Sequence, residues 1–183
     1  MQSYFDYLRL NINTFATLLQ TWCAELRSAA GESATSTSVE EALMLTASLT
    51  TAARHALAPL RLYSAWLLTN SHVLASGLGD ETIKALVPRF WATYAECLSL
   101  VARAFPVKLL PEVPYQLEED VESTGFMPLE SERTQKLWLD ALGGQKPRHD
   151  QTTRLVPNME MLARVRDLLV DGLLLAVDQV CFA

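Results

Sequence analysis

The N-terminal segment carries the most regular spacing of apolar side chains in the sequence. Large apolar residues recur every three or four positions from Phe5 to Leu26, as they do along one face of an α-helix. The stripe comprises Phe5, Leu8, Ile12, Phe15, Leu19, Trp22 and Leu26. Neighbouring apolar residues broaden it, so it favours packing in a helix bundle over a narrow coiled-coil seam. We expect a long first helix that ends near Ala29 and Ala30.

Local start and stop signals predict the next two helices. Ser38, followed three residues later by Glu41, has the form of a capping box, in which each side chain accepts a backbone amide proton of the other residue. A second helix is therefore expected to run to about Leu57. Pro59 has no amide donor and disrupts a preceding helical turn. This predicts that Pro59 lies in the first turn of a third helix, over about 59–76.

The middle of the chain combines a fourth helix with a proline-rich connection. Asp80 is a good N-cap residue for a helix that ends at about Phe105. In the 106–131 segment, four prolines forbid a continuous helix: Pro106, Pro111, Pro114 and Pro128. Connections of this length inside a domain are usually functional or lie across its surface. We expect an ordered strap there.

Two helices are predicted in the C-terminal part. The first runs from about Ser131 to Leu142, where a glycine pair stops it. The second begins after Pro157 and continues to the end of the chain. Beyond Gly172 this last helix is apolar on all sides, which is typical of a buried helix end.

These elements predict an all-α fold of about six helices in stacked antiparallel hairpins, with the long Pro-rich strap between them. No run of β-branched residues bounded by turns indicates a strand. A chain of 183 residues suits one domain better than two. We therefore expect a single helical-hairpin domain over 1–183 that is a fragment of a larger protein.

The residue types argue against an enzyme and against a metal or cofactor site. No Walker A loop, His-Glu-x-x-His motif, nucleophile elbow or dinucleotide fingerprint is present. The cysteines and histidines have no metal-ligand spacing; they are Cys23, Cys97, Cys181, His55, His72 and His149. The run Glu118–Asp120 is interpreted as a solvated acidic loop. The N-terminus does not have the pattern of a signal peptide, so an intracellular protein, cytoplasmic or nuclear, is expected.

The distribution of charge argues against nucleic-acid binding by the chain as a whole but allows it at one basic cluster. The whole chain has a net charge of −6, whereas a protein that binds mainly to phosphates carries excess Lys and Arg. Between Arg133 and Arg166, however, seven basic residues meet three acidic ones. The candidate nucleic-acid contacts are Lys136, Lys146, Arg148 and Arg154. The competing interpretation is a solvated surface with one flexible basic loop.

Several segments resemble the Est-one/Smg family of telomerase-associated and nonsense-mediated mRNA decay adaptors. Glu119-Asp120-Val121 followed by Gly125-Phe126-Met127-Pro128-Leu129 looks like the family's acid-Asp…Gly-Phe-x-Pro-Leu signature. Further similarities, in family order, cover Tyr7–Leu10, Pro59–Leu67, Lys136–Gly144 and Arg164–Gly172.

The resemblance implies a helical-hairpin region that is often described as DNA- or RNA-binding. It implies a non-enzymatic adaptor that binds protein partners in an RNA-decay or telomere complex, with RNA or single-stranded DNA binding as the alternative. The family's phosphopeptide-binding domain and PIN nuclease domain have no counterpart in this sequence. A small helical enzyme is the third hypothesis, and no motif supports it.

The signature residues also have a structural interpretation. Gly125 is expected to adopt a backbone conformation closed to other residues, and Asp120 to cap a turn or accept backbone amides. Phe126 and Leu129 are expected to plug the strap into a groove between helices, with Pro128 stiffening the chain between them. As a buried aromatic, Phe126 would contribute about 3–5 kcal/mol to stability.

Overall fold

Six α-helices make up most of the protein in the computed structural model, which describes residues 2–30, 35–75, 80–148 and 154–177. The helices are α1 (Gln2–Ala30), α2 (Val39–Ser48), α3 (Thr51–Ala75), α4 (Glu81–Ala104), α5 (Glu118–Glu122) and α6 (Pro157–Val177). The described ranges contain no strand, only two isolated β-bridges. This confirms the prediction of an all-α fold with about six helices.

The core lies where α1, α3, α4 and α6 meet. The apolar stripe of α1 is buried along its length, apart from a partly buried Phe5, which confirms the predicted face. α1 packs mainly against α4, and α3 mainly against α6. Aromatic rings join the first three of these helices: Phe15 stacks on Tyr63 with ring centroids 5.3 Å apart and contacts Phe90 at 5.5 Å.

The predicted N-terminal caps of α2 and α4 are present. The Ser38 hydroxyl accepts a hydrogen bond from the Glu41 amide at 3.2 Å. Glu41 in turn accepts from the Thr37 amide at 2.6 Å, one residue earlier than a standard capping box requires. The Asp80 carboxylate accepts hydrogen bonds from the two amides at the start of α4, as expected for an N-cap.

The predicted break between the second and third helices, just before Pro59, is wrong. The chain leaves the helix at Leu49, whose ψ of 145° is extended, and the Thr50 hydroxyl then accepts a hydrogen bond from the Ala53 amide at 3.2 Å. Pro59 lies inside α3. Because Leu57 and the following Leu60 are both buried, burial of this face holds the helix together through the proline.

The predicted helix from Ser131 to Leu142 is also wrong. This stretch contains only the 3-10 turn Gln135–Leu137. Its side chains compete for the backbone bonds that a helix needs: the Asp140 carboxylate accepts the amides of Leu142 and Gly144 at 2.8 and 2.9 Å. Leu142, which would have faced the core, is 96% exposed.

The 106–131 segment contains more local structure than its prolines indicate. It includes the 3-10 turns Val107–Leu109 and Met127–Leu129 and the short helix α5. Tyr115 and Leu117, just before α5, are buried. A continuous Pro-rich strap stays a prediction, whereas helical structure within this segment was not expected.

The prediction that the C-terminal end of α6 is buried on all sides is wrong. Leu173 and Val177 are exposed, and only Leu175 is fully buried, because one face of α6 meets the core. Residues 178–183, including Cys181, lie outside the described part of the chain, as does His149; Cys23 and Cys97 are buried free thiols, and His55 and His72 are exposed. No helix in the described ranges is both long and apolar enough to cross a bilayer.

Candidate functional site

A buried arginine on α3 organises the family-like motif. Arg61 is 2% exposed and contacts three carboxylates. Its two terminal nitrogens hold Asp120 in a bidentate pair, with Nη2 and Oδ2 3.2 Å apart. Nη1 also donates to Glu119 at 3.3 Å, and Nε donates to Asp167 of α6 at 2.6 Å. Arg61 therefore ties α3 to α5 and α6.

Further ion pairs extend this arrangement, which we call the Arg61 network, along α6. Arg164 holds Glu119 through two hydrogen bonds of 2.8 Å. Arg154 holds Glu160 at 2.9 and 3.1 Å, and the Tyr115 hydroxyl donates to the same carboxylate at 3.0 Å. The network consists of Arg61, Glu119, Asp120, Arg154, Glu160, Arg164 and Asp167.

The interpretation of Glu118–Asp120 as a solvated acidic loop is therefore wrong for two of its three residues. Glu118 is exposed, but Glu119 and Asp120 are 6% and 1% exposed. Carboxylates are buried where cations and amides pair with them, and Arg61 supplies that pairing here.

The charges of the network and its burial shift the pKa values of three of its carboxylates. Burial would raise the pKa of Glu119, but hydrogen bonds and charge from Arg164 and Arg61 outweigh burial and lower it. Asp167 shows the same balance, with Arg61 and Lys136 lowering its pKa. For Asp120, burial prevails and raises the pKa, although Arg61 opposes the rise. Groups engaged in this way hold α3, α5 and α6 together.

Asp120 also fixes the backbone of the motif, as expected. Its carboxylate accepts a hydrogen bond from the Leu117 amide at 3.0 Å, at the start of α5. Its carbonyl accepts one from the indole of Trp138 at 2.9 Å. Gly125 follows with a φ of +80°, in the left-handed region that favours glycine. Asp120 therefore accepts a backbone amide, and Gly125 has a backbone conformation that favours glycine.

Only one half of the predicted plug exists. Leu129 is 3% exposed and packs against Ala65 of α3 and Leu137. Phe126 is 55% exposed, so its prediction as a buried plug was wrong. The turn that begins at Gly125 directs Leu129 inwards, and the backbone around Pro128 is held by a hydrogen bond from Asn70 to its carbonyl at 3.2 Å.

The candidate nucleic-acid contacts do not form one free basic surface. Lys136 pairs with Asp171, and Arg154 pairs with Glu160. Lys146 donates to the carbonyl of Lys136 at 2.7 Å, so these two lysines lie together. Arg148 is exposed and forms no ion pair within the ranges that the structure describes.

The pair between Lys136 and Asp171 predicts an unusual pH dependence. Burial raises the pKa of Asp171 to about 6, against opposition from Lys136 and with the Asp167 charge adding to the rise. A raised folded-state pKa gives stability that is fully present below the unfolded pKa and lost as pH rises through about 6. The difference between this pKa and the ordinary Asp pKa of 3.8 corresponds to a free energy of unfolding of roughly 3 kcal/mol.

We therefore expect the wild-type protein to gain roughly 2–3 kcal/mol relative to Asp171→Asn between neutral pH and about pH 4. Urea unfolding of both proteins across this range measures the difference. Contributions from groups that do not interact with Asp171, such as Glu119, are common to both proteins and cancel in the difference. A difference that stays constant with pH would show that Asp171 titrates normally.

Comparison with known proteins agrees with the motif. The family described as the Est1 DNA/RNA binding domain matches residues 2–133, well over half of the chain. The match includes Asp120, Gly125, Phe126, Pro128 and Leu129 but stops before Lys136 and the later candidate contacts. Searches of curated proteins and of solved structures found no match. The chain belongs to the Est1 DNA/RNA-binding domain family.

Proposed function

We propose that this chain is a non-enzymatic adaptor domain that binds protein partners in a nonsense-mediated mRNA decay or telomerase-associated complex. The observation that carries the proposal is the exposure of two apolar side chains in the family-like motif. Phe126 is 55% exposed and Met127 is 77% exposed. Both aromatic residues and methionine are enriched in protein interfaces.

The backbone beneath these two side chains is held firmly. Leu129 is buried, and its carbonyl accepts a hydrogen bond from the Thr134 hydroxyl. Asn70 holds the Pro128 carbonyl, and Asp120 is anchored by Arg61. A preorganised turn loses little conformational entropy when a partner binds. We call residues 126–129 the motif turn.

The N-terminal helix offers a second exposed apolar group. Tyr4, Tyr7 and Leu10 of α1 are 51%, 68% and 61% exposed. Tyrosine gives contact area at a low cost in side-chain entropy. An adaptor contacts more than one molecule, and two separate apolar surfaces suit that task.

The double variant Phe126→Asp/Met127→Asp is expected to reduce partner association by at least about tenfold, because charge at a buried interface position removes a hot spot. Affinity purification of the full-length protein from cells, with quantification of RNA-decay and telomerase components, measures the effect. Leu142→Asp is the matched control, because Leu142 is 96% exposed in a different turn. Unchanged association of every such component in the double variant would contradict the proposal.

Nucleic-acid binding is the second candidate function. The family description and the exposed, unpaired charge of Arg148 within the described residues support it. Titration with RNA and single-stranded DNA at two salt concentrations separates the two functions. Salt-dependent binding that is lost in Arg148→Glu favours the nucleic-acid role, since each phosphate contact releases counterions; binding that is absent or insensitive to salt leaves the adaptor role alone.

A further inference from the structure

A cleft of about 730 Å³ is lined in part by Arg61 and Asp167 of the Arg61 network. Its walls come from residues 111–117, residues 135–146 and one face of α6. Its volume lies in the range typical of ligand-binding clefts, about 300–1,000 Å³. None of its lining residues belongs to the motif turn, so the inference drawn from it is independent of the proposed function.

One cation in this cleft forms no ion pair with any residue in the described ranges. Lys146 is half-buried, and its ammonium group makes a single hydrogen bond, to the Lys136 carbonyl. Among the described residues, no carboxylate lies within ion-pairing distance of it. An ammonium group has three donors, so two remain for a ligand. Burial lowers the pKa of Lys146 and repulsion from Arg61 adds to this, whereas the charges of Asp167, Asp120 and Glu112 oppose it.

The other charged groups around the cleft are already engaged. Arg61 and Asp167 pair with each other, and Lys136 pairs with Asp171. Asp140 accepts two backbone amides. Lys146 is therefore the charge in this cleft whose partner is missing from the described residues.

A second cation can be released at small cost. Arg166 pairs with Glu112, whose side chain is 74% exposed. Ion pairs that involve an exposed side chain contribute little to stability. An anion that enters the cleft can therefore displace Glu112 and reach Arg166 as well as Lys146.

We propose that the cleft binds a short linear peptide through one acidic side chain, which Lys146 and Arg166 hold, while neighbouring apolar residues of the peptide contact the walls. Pro111, Pro114, Leu139 and Ala163 supply these walls. A cleft that combines these apolar residues with charged groups suits a ligand that has both apolar and charged parts.

Charge favours a peptide over a nucleic acid in this cleft. An extended nucleic acid requires a row of cations along its backbone, whereas Arg61 and Lys136 are committed to carboxylates. Glu112, Asp140 and Asp167 also line the cleft and would repel successive phosphates. One carboxylate between apolar residues brings a single negative charge to one or two cations, so it meets less of this repulsion than successive phosphates do.

The test uses an array of short synthetic peptides with a central Asp or Glu between varied apolar residues, and a matched array with Asn or Gln at the centre. The complete chain is applied to both, and the best acidic peptide is then titrated by fluorescence anisotropy. We expect binding to the acidic array and at least about tenfold weaker binding of the matched amide peptide, the effect of one lost charge pair in a partly buried site.

Three variants locate the binding. Lys146→Met keeps the length of the stem and removes the charge, so about tenfold weaker binding of the acidic peptide is expected. Lys108→Met, at an exposed lysine outside the cleft, is expected to bind like wild type. Glu112→Gln is expected to bind the acidic peptide severalfold more tightly, because it leaves Arg166 with only a 4.0 Å contact to Asp167; a purely structural role of Lys146 predicts no such gain.

Several results would overturn the proposal. These are equal capture by the acidic and amide arrays, no capture by either, or equal effects of Lys146→Met and Lys108→Met. Displacement of the peptide by single-stranded RNA or DNA would assign the cleft to nucleic acid instead. If Lys146→Met does not fold, the Glu112→Gln affinity and the comparison of the two arrays decide the outcome.

Discussion

Replacing Arg61 with alanine is expected to lower the free energy of unfolding by about 3–5 kcal/mol, the usual effect of removing one partner of a buried ion pair. The loss arises because Asp120 and Asp167 remain in place without the guanidinium that holds them. Asp120 is 1% exposed, so the substitution leaves a buried carboxylate without its main partner. Urea unfolding at neutral pH measures the change.

Two comparisons distinguish this explanation from a general effect of truncating an arginine. Arg103→Ala, at an exposed position of α4, is expected to change stability by less than about 0.5 kcal/mol. The loss of unfolding free energy in Arg61→Ala should also be smaller at lower pH, because the carboxylates that have lost their partner can then be protonated. A loss that is small at neutral pH, or the same at every pH, would argue against the buried network as its cause.

Leu129→Ala is expected to destabilise the protein by about 2–5 kcal/mol, whereas Phe126→Ala is expected to cost less than about 1 kcal/mol. Leu129 is 3% exposed and packs against Ala65 and Leu137, so its truncation leaves a cavity. Phe126 is more than half exposed, so its truncation leaves none. Thermal or urea unfolding of both variants gives the comparison.

The contrast between these two variants also separates folding from binding. Phe126→Ala should keep the wild-type unfolding midpoint while weakening partner association. Leu129→Ala should lower the unfolding midpoint. Equal destabilisation by the two substitutions would mean that the Phe126 side chain is buried in solution. In that case the motif turn could not present an exposed apolar contact.

The sequence alone predicted those helices that are determined by residues close together in the chain. In α1 the spacing of apolar residues alone determines which face is buried, since a regular helix repeats its geometry at every turn. Ser38 and Asp80 cap helices that begin within a few residues of them. Local hydrogen bonds also explain the failure at Ser131–Leu142, where Asp140 accepts amides that a helix would use.

The Arg61 network could not be predicted because its partners are distant in sequence. Arg61 meets Asp120 and Asp167 across 59 and 106 positions, and spacing patterns do not reach that far. One signal was present, however. Leu57, Arg61 and Ala65 are spaced by four residues and are all buried, so a basic residue within an apolar helix face was visible in the sequence and indicated a buried partner.

The exposure of Phe126 was missed for a different reason. Aromatic residues are usually buried, so the sequence near Pro128 favoured a buried Phe126. The outcome depended on the positive φ of Gly125, which sets the direction of the following residues and is not visible in an apolar pattern. The turn therefore buries Leu129 and leaves its neighbour in solvent.

The position of Arg61 has a consequence for dissecting the protein. The family match stops at residue 133. Arg164, which pairs with Glu119 of α5, and Asp167, which pairs with Arg61, come later in the chain. A piece cut at residue 133 would lose these counter-charges and bare the surface of α3 against which α6 packs. We therefore expect that a piece able to fold on its own extends through α6, past residue 133.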